Sequence, residues 1–157
     1  MKGATHALGG LVFAYLFGVP DYAVPAAVVG ALFPDVDLKF SRLVPSKGSK
    51  KTLWNTHRGF THHPLAVLIL FLLWAYLEGA YPEYGFYWDF LYGFWVGYLS
   101  HLALDALTKL GIPVGTGYYP RFGLRLMKTG GLGEKVFAVL LAVAFLGLLY
   151  LKGKGIL

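Results

Sequence analysis

The sequence His57-Arg58-Gly59-Phe60-Thr61-His62-His63 stands directly before an apolar run from Pro64 to Ala80. Three of the chain's five histidines and one arginine fall within these seven residues. Polar side chains that can bind a cation therefore meet a hydrophobic helix at this point. Elsewhere in the chain, other long apolar runs also begin or end beside histidine or aspartate.

Composition indicates an integral membrane protein. Hydrophobic residues make up 57% of the 157 residues and charged residues only 14%, whereas soluble domains carry roughly 25% charged residues. The mean hydropathy is +0.58. The length suits one domain, and we predict a single membrane-embedded domain over residues 1–157. We attribute the formal net charge of +6 to a cytoplasmic face and anionic lipid, and we expect no nucleic-acid partner.

Five apolar segments predict an all-α, polytopic membrane helical bundle. They lie at residues 4–19, 22–34, 64–80, 86–110 and 134–151. The first is short for a membrane span, and a turn at Pro20-Asp21 joins it to the second as a tight hairpin. His6 and the lack of a clear small-residue cleavage site favour a retained first helix over a signal peptide.

Basic residues predict how this bundle lies in the membrane. The loops 38–63 and 111–133 are rich in Lys and Arg, which places them on the cytoplasmic side. The loop 78–89 carries acids and no base and is expected outside. The N-terminus then lies inside and the C-terminus outside, although Lys152 and Lys154 disagree with this orientation. We predict a multi-pass protein of the cell (plasma) membrane.

On this topology, histidines and aspartates from five segments converge on the cytoplasmic leaflet. His101 and Asp105 are spaced i, i+4 and share one face of a helix. A charge at that depth costs roughly 2.5–3.5 kcal/mol, which a bound cation would offset. The candidate metal ligands are His6, Asp35, Asp37, His57, His62, His101 and Asp105.

Each part of this set has a structural alternative. The His101–Asp105 pair can tie two helices together by a hydrogen bond. Asp35 and Asp37 can mark a helix C-terminus that breaks into solvent. The histidines of the loop can be incidental, and His6 and His63 can be interfacial.

The chemistry of the candidate ligands limits the metal. The chain has no cysteine, which excludes thiolate ligands. Histidine and aspartate suit zinc, with manganese or iron as alternatives. We expect either one ion or two ions bridged by the carboxylate of Asp105 or Asp37. A bound metal lowers the pKa of water from 15.7 toward about 7. Asp35 or Asp37 would accept the proton, and Arg58 would stabilise charge on a substrate oxygen.

The motifs resemble those of one family, the YdjM-like, LexA-regulated membrane-bound predicted metal-dependent hydrolases. The matching pieces are Thr5-His6-Ala7, Pro34-Asp35-Val36-Asp37, His57-Arg58-Gly59-Phe60-Thr61-His62, and His101-Leu102-Ala103-Leu104-Asp105 followed by Thr108 and Gly111. They occur in the family's order. One departure is His63, where the family usually has serine. The resemblance implies a membrane-bound, metal-dependent hydrolase.

That family is also distantly similar to zinc-dependent phospholipase C and the P1-type nucleases. These are helical, multi-zinc phosphoesterases that use a His-x-x-x-Asp helix pair. The similarity implies zinc ligands at His6, Asp35 or Asp37, His62, His101 and Asp105. The chain lacks the later His and His-x-x-x-Glu of those enzymes, which favours one or two metals over a three-zinc cluster.

We therefore expect hydrolysis of a phosphoester in a lipid or amphiphile at the inner leaflet, with the membrane and that lipid as partners. One alternative is a metal-ion transporter or carrier, which needs a polar path through the bilayer. Apart from Glu78 and Asp89 at the outer helix ends, the outer halves of the predicted helices carry no Asp, Glu, His, Lys or Arg in their apolar runs. A second alternative is a structural membrane protein with a stabilising metal, whose ligand variants lose folding rather than activity alone.

Overall fold

A computed structural model describes residues 1–37, 58–115 and 119–156, and these residues form five α-helices. The helices are α1 (Gly3–Leu16), α2 (Val24–Leu32), α3 (Pro64–Ala80), α4 (Gly85–Ala106) and α5 (Leu132–Gly153). Short 3-10 turns lie at Asp21–Ala23, Phe33–Val36, Phe60–His62 and Pro82–Tyr84. Between α4 and α5, strands β1 (Ile112–Pro113) and β2 (Arg121–Phe122) pair antiparallel. The predicted helical class is confirmed.

Two helices end earlier than the sequence predicts. The first ends at Leu16, two residues before Gly18, whose φ of +66° lies in the left-handed region. The fourth ends at Ala106 and not at residue 110, because the next turn changes its hydrogen-bond partners. The carbonyl of Ala106 accepts from Leu124 N–H, and the carbonyl of Leu107 accepts from Leu126 N–H. The β-hairpin connection therefore begins where helical hydrogen bonding would have continued.

Glycines allow α2 to pack closely against α4. A Cβ atom at Gly97 would lie 1.8 Å from the carbonyl oxygen of Ala27, and one at Gly30 would lie 2.0 Å from that of Phe94. Small residues that let two backbones approach in this way are typical of helix pairs in membranes. The contact places Asp35, just beyond α2, beside the last turns of α4.

The outward faces of α3 and α5 are apolar and exposed. The large side chains on these faces are Leu65, Leu68, Ile69, Leu72, Leu73, Val139, Leu140, Val143 and Leu146. Among the described residues, α5 alone is long and apolar enough to cross a bilayer, and α3 with α4 meets the same criteria only as one bent pair. The multi-pass topology and its orientation remain predictions.

The bundle has two ends of different character. At one end α1, α3 and α5 begin and α2 and α4 end; we call this the site end. The buried polar side chains are Thr5, His6, Arg58, His62, His63, Ser100, His101, Asp105, Thr108 and Glu134. All of them lie in the helical turns or loops nearest the site end. The opposite end, which we call the far end, carries Asp21, Asp89 and Lys152.

Candidate metal centre

Asp105 lies at the centre of the buried polar cluster. Its side chain is fully buried, and Oδ1 accepts from the α-amino group of Met1 at 2.6 Å and from Arg58 Nη2 at 2.7 Å. Oδ2 has no hydrogen-bond donor among the described residues. Two imidazole nitrogens instead approach Oδ2, His62 Nε2 at 3.4 Å and His101 Nε2 at 3.5 Å.

The hydrogen bonds of His101 assign its tautomer. Nδ1 lies 2.7 Å from the carbonyl oxygen of Ala31. A carbonyl oxygen only accepts, so Nδ1 must carry the hydrogen. In the neutral ring, Nε2 then presents a lone pair toward Asp105 and His62. The carbonyl comes from the last turn of α2, so the α2–α4 packing also orients this imidazole.

A hydroxyl group assigns the tautomer of His62 in the same way. Thr61 Oγ1 lies 2.7 Å from Asp37 Oδ2 and 3.1 Å from the Pro34 carbonyl oxygen, and both oxygens accept. The single hydroxyl hydrogen is used there, so His62 Nδ1, 3.0 Å from Thr61 Oγ1, must be the donor in that contact. Nε2 of the neutral His62 ring therefore also presents a lone pair inward.

The inward-facing atoms are all acceptors. Nε2 of His62 and Nε2 of His101 lie 3.0 Å apart, and Oδ1 of Asp35 lies 4.0 Å and 3.8 Å from them. Two imidazole nitrogens on one tetrahedral zinc, at 2.0–2.1 Å each, are roughly 3.3 Å apart. The carbonyl oxygen of Ala31 lies beside His101 Nδ1, and the carboxylate of Asp37 lies beside His62 Nδ1. Groups of these two kinds usually orient metal-binding histidines. The donor set fits a divalent cation.

His6 extends this set from α1. Its ring stacks on that of His101 with centroids 3.6 Å apart and an interplanar angle of 13°. Nε2 lies 3.4 Å from Asp105 Oδ1, and neither ring nitrogen has a hydrogen-bond partner among the described residues. A fully buried imidazole without a partner is rare in folded proteins, so it calls for a specific explanation such as an ion.

The described residues form two overlapping groups that could hold a metal. One consists of His6, His101 and Asp105, and the other of Asp35, His62 and His101. His101 belongs to both, and its Nδ1 is engaged with Ala31. Only Nε2 remains, and one imidazole nitrogen binds one ion. The two groups therefore favour a single ion over a pair.

The two aspartates of the Pro34–Asp37 motif differ in position. Asp35 lies within reach of the inward nitrogens, as described above. Asp37 Oδ2 instead accepts from Arg58 N–H at 3.0 Å and lies 3.5 Å from His62 Nδ1, behind the ring. The side chains of Asp35 and Asp37 are 21% and 14% exposed, whereas those of the three inner histidines are fully buried. Solvent therefore reaches the site from the aspartate side.

Arg58 lies inside the cluster and contacts protein groups. Nη2 donates to Asp105 and Nη1 donates to Thr108 Oγ1 at 2.9 Å, and the side chain is almost fully buried. Its φ of +59° lies in the left-handed region, which a non-glycine residue adopts at some cost. The backbone is thus bent so that the guanidinium reaches Asp105. The sequence had predicted that it would contact a substrate oxygen.

Two further candidate ligands, one predicted and one doubtful, remain to be placed. His57 lies outside the described residues. His63 caps the start of α3: its Nδ1 accepts from Leu65 N–H at 3.2 Å, and its Nε2 lies 2.6 Å from the carbonyl oxygen of Gly115. Both nitrogens of His63 are therefore engaged away from the centre.

The charge around His62 favours a cation. Burial alone would lower the pKa of this imidazole, but the carboxylates of Asp105 and Asp37, which lie 3.4 Å and 3.5 Å from its two ring nitrogens, raise the pKa above its ordinary value. The same acceptors attract either a proton or a metal ion, so the two compete for this position.

Sequence reasoning missed the residues that hold the cluster in place. Glu134, at the start of α5, accepts hydrogen bonds from Lys2 N–H, from Thr5 Oγ1 at 2.9 Å and from Gly130 N–H. It satisfies donors at the beginning of α1, the helix that carries His6. The only sequence signal was an isolated acid at the start of an apolar run.

Comparison with known proteins agrees with a membrane protein. The family model described as YdjM inner membrane protein matches residues 1–155. The chain is 32% identical over 154 residues to the uncharacterized protein YvsG of Bacillus subtilis (strain 168), an alignment that covers 92% of this chain and 91% of YvsG. No solved structure matches.

A second relative matches over a shorter region. The inner membrane protein YdjM of Escherichia coli (strain K12) is 41% identical over 97 residues, which is 59% of this chain and 48% of that protein. The inner membrane protein YdjM of Shigella flexneri gives the same values. This alignment spans about half the length of those relatives.

Proposed function

The chain belongs to the YdjM inner membrane protein family, and we propose that it is a membrane-bound, metal-dependent hydrolase. Its metal is a single divalent ion, zinc in the first place, with manganese or iron as alternatives. Its substrate is a phosphoester in a lipid or amphiphile. The site faces the cytoplasmic leaflet of a multi-pass protein.

One observation carries this proposal. The Nε2 atoms of His62 and His101 face each other at 3.0 Å, each with its hydrogen assigned to the other ring nitrogen, and the unpartnered Oδ2 of Asp105 faces both. Three acceptors in a buried space repel one another unless a cation lies among them. The cation is either a proton on His62 or a metal ion, and we favour the metal ion because neither ring nitrogen of the adjacent His6 has a hydrogen-bond partner among the described residues.

Each residue around the site has a separate role in the proposed hydrolysis. When bound, a divalent ion supplies Lewis-acid chemistry and lowers the pKa of water toward about 7. Asp35, on the accessible side, would accept the proton that water loses as its oxygen bonds to phosphorus, and would return that proton to the alcohol oxygen that leaves when the phosphoester P–O bond breaks. Asp37 holds His62 in its tautomer. We assign Arg58 to neutralising Asp105 rather than to contacting a substrate oxygen, because both of its terminal nitrogens are engaged.

The charge distribution supports an anionic amphiphile as the substrate and a cytoplasmic orientation. The exposed or half-buried cations near the site end are Lys2, Lys109, Arg121, Arg125, Lys128 and Lys135. Such residues attract anionic headgroups and mark the cytoplasmic side of a membrane protein. The exposed apolar faces of α3 and α5 would contact the acyl chains of the surrounding bilayer.

The transport alternative has less support. Between the two ends, the described parts of α1, α2, α4 and α5 contain no Asp, Glu, His, Lys or Arg. An ion that crosses the bilayer needs polar groups along its path. The partial exposure of Asp35 and Asp37 also favours a site that a substrate can reach over a sealed structural ion.

The test is metal content together with turnover. Protein purified in detergent should contain about one zinc or manganese per chain by elemental analysis. His101→Ala should lose the ion and the hydrolysis of phospholipid-like phosphoesters, while Tyr22→Phe at the far end should retain both. Wild-type protein that stays metal-free after incubation with these ions would overturn the proposal. Metal flux into proteoliposomes would favour transport, and loss of folding in His101→Ala would favour a structural ion.

A further inference from the structure

An apolar cavity adjoins the accessible side of the centre. It has a volume of about 260 Å³ and lies between α3, α4 and the two 3-10 turns that carry the site motifs. Its lining residues are Phe33, Phe60, Thr61, Ala66, Val67, Leu70, Phe94, Trp95 and Tyr98. Among the described residues that line it, none carries a charged side chain.

The two hydroxyl groups of the lining point to other protein atoms. The hydroxyl of Thr61 donates toward Pro34 and Asp37, and the hydroxyl of Tyr98 donates to the carbonyl oxygen of Thr61. The remaining side chains are aliphatic or aromatic. The cavity therefore offers its occupant dispersion contacts and burial rather than hydrogen bonds.

The cavity opens onto the surface that faces lipid. Phe33, Phe60 and Leu70 are 45%, 42% and 47% exposed, so they form its rim. On α3, the neighbouring residues Leu68 and Ile69 are also exposed. A chain that enters from the bilayer would meet apolar surface along its whole route.

The inner wall of the cavity touches the centre. Thr61 Oγ1 lies 2.7 Å from Asp37 Oδ2 and 3.0 Å from His62 Nδ1, so one hydrogen bond separates the cavity wall from the histidine cluster. Phe33 precedes the Pro34-Asp35 motif directly. The two aspartates are also the exposed part of the centre. An amphiphile with its tail in the cavity would therefore have its polar head beside them.

We propose that this cavity binds one acyl chain of a membrane lipid and presents the headgroup to the Asp35–Asp37 side of the centre. This inference rests on the proposed function, since it assigns the tail of the same substrate. It adds a specificity: long-chain lipids bind, and short-chain analogues of the same headgroup bind weakly.

Neighbouring residues on α3 provide a matched test. Leu70 and Ile69 are both exposed aliphatic residues, but only Leu70 lines the cavity. Leu70→Trp and Ala66→Trp should block the cavity, and Ile69→Trp should not. Zinc-loaded full-length protein would be mixed in detergent with dipalmitoyl or dibutyryl phosphatidylglycerol. Native mass spectrometry would measure retained lipid, and elemental analysis would measure zinc.

We expect wild-type protein and Ile69→Trp to retain one dipalmitoyl lipid. Both cavity variants should retain it roughly tenfold less or worse, because excluding two methylene groups from an apolar site already weakens binding by about that factor. Zinc content should be equal in all four proteins. If Ala66→Trp fails to fold, Leu70→Trp at the rim decides the question.

Equal retention by all proteins, or no preference for dipalmitoyl over dibutyryl lipid, would overturn the acyl-chain site. That result is distinct from failure of the proposed function, which would appear as absent zinc or absent turnover in the wild-type protein. Lipid retention without zinc would leave a lipid-binding cavity beside a centre that is not metal-dependent.

Discussion

The two ends of the helical bundle handle their polar side chains in opposite ways. At the far end Tyr22 donates to Asp89 and Lys152 pairs with Asp21, and these groups are exposed; Lys152 and Asp21 are 37% and 65% exposed. At the site end Asp105 and three histidines are fully buried, and Oδ2 of Asp105 and both ring nitrogens of His6 have no hydrogen-bond partner among the described residues. Exposed pairs are satisfied by water whatever their geometry. Buried acceptors are not, so the site end indicates a cation where the far end indicates none.

Contacts at the far end explain why two lysines lie at an end that is predicted to face outward. Lys152 and Lys154 lie at an end predicted to face outward, against the usual bias. Lys152 is paired with Asp21, and Lys154 lies over the ring of Tyr150 at 5.7 Å. Both cations thus have local partners. The cations near the site end are more numerous and favour the cytoplasmic assignment.

Removing the central carboxylate should have the largest effect. Asp105→Ala leaves the Arg58 guanidinium and the Met1 amino group buried without their partner, which typically costs about 3–5 kcal/mol. The variant should also lose its metal. Thermal unfolding in detergent and elemental analysis would measure the two effects. Asp89→Asn is the control at the far end, and an equal loss of stability there would remove the contrast between the ends.

A smaller effect is expected from the residue behind His62. Asp37→Asn keeps the shape of the side chain but weakens the group that orients the imidazole. Outer-shell changes of this kind typically reduce metal affinity by about 10–100-fold. Competition with a fluorescent zinc chelator would measure the affinity, while saturating zinc should still give full occupancy. An unchanged affinity would show that Asp37 does not orient the ligand.

The dependence on pH should be smaller again and has a defined sign. The pKa of His62 is raised, so the ion-free site keeps a proton to a higher pH than an ordinary histidine. Metal binding displaces that proton, so affinity falls as pH falls below the raised pKa and levels off above it. One displaced proton gives about a tenfold change per pH unit. Zinc titrations across neutral pH would measure the slope, and a flat profile contradicts the competition.

The smallest effect belongs to the far end. Lys152→Ala removes an exposed pair, which is worth about 0–1 kcal/mol. Zinc affinity and turnover should be unchanged, because the pair lies at the opposite end of α5 from Glu134. A loss of metal in this variant would mean that the two ends are coupled through α5.

Much of the site could be predicted from sequence because its signals are local. The i, i+4 spacing of His101 and Asp105 within an apolar helix marks a shared face. Helix ends then bring His6, Asp35 and His62 to the same end. The structure places these side chains within a few ångströms of one another.

The remaining features depend on contacts between distant segments. Asp35 and Asp37 differ in position because the 3-10 turn directs them to opposite sides of His62, and two aspartates separated by one residue give no sign of this. The backbone of Arg58 adopts a left-handed conformation that aims it at Asp105. Glu134 caps a helix more than a hundred residues away in sequence. Ordinary sequence patterns carry no information on such pairs.

Gly97 and Gly30 set the distance between α2 and α4, and therefore the relative positions of the side chains at the site end. A methyl group at Gly97 would start 1.8 Å from a backbone oxygen, whereas real Cβ atoms essentially never come within 3.0 Å. The α2 and α4 backbones would have to separate by about an ångström. Metal–ligand distances are held within about 0.2 Å. Two residues with no side chain, one about a helical turn from His101 and one beside Ala31, would thus limit the distances between the proposed metal ligands. Substituting either glycine would require the α2–α4 contact to be rebuilt.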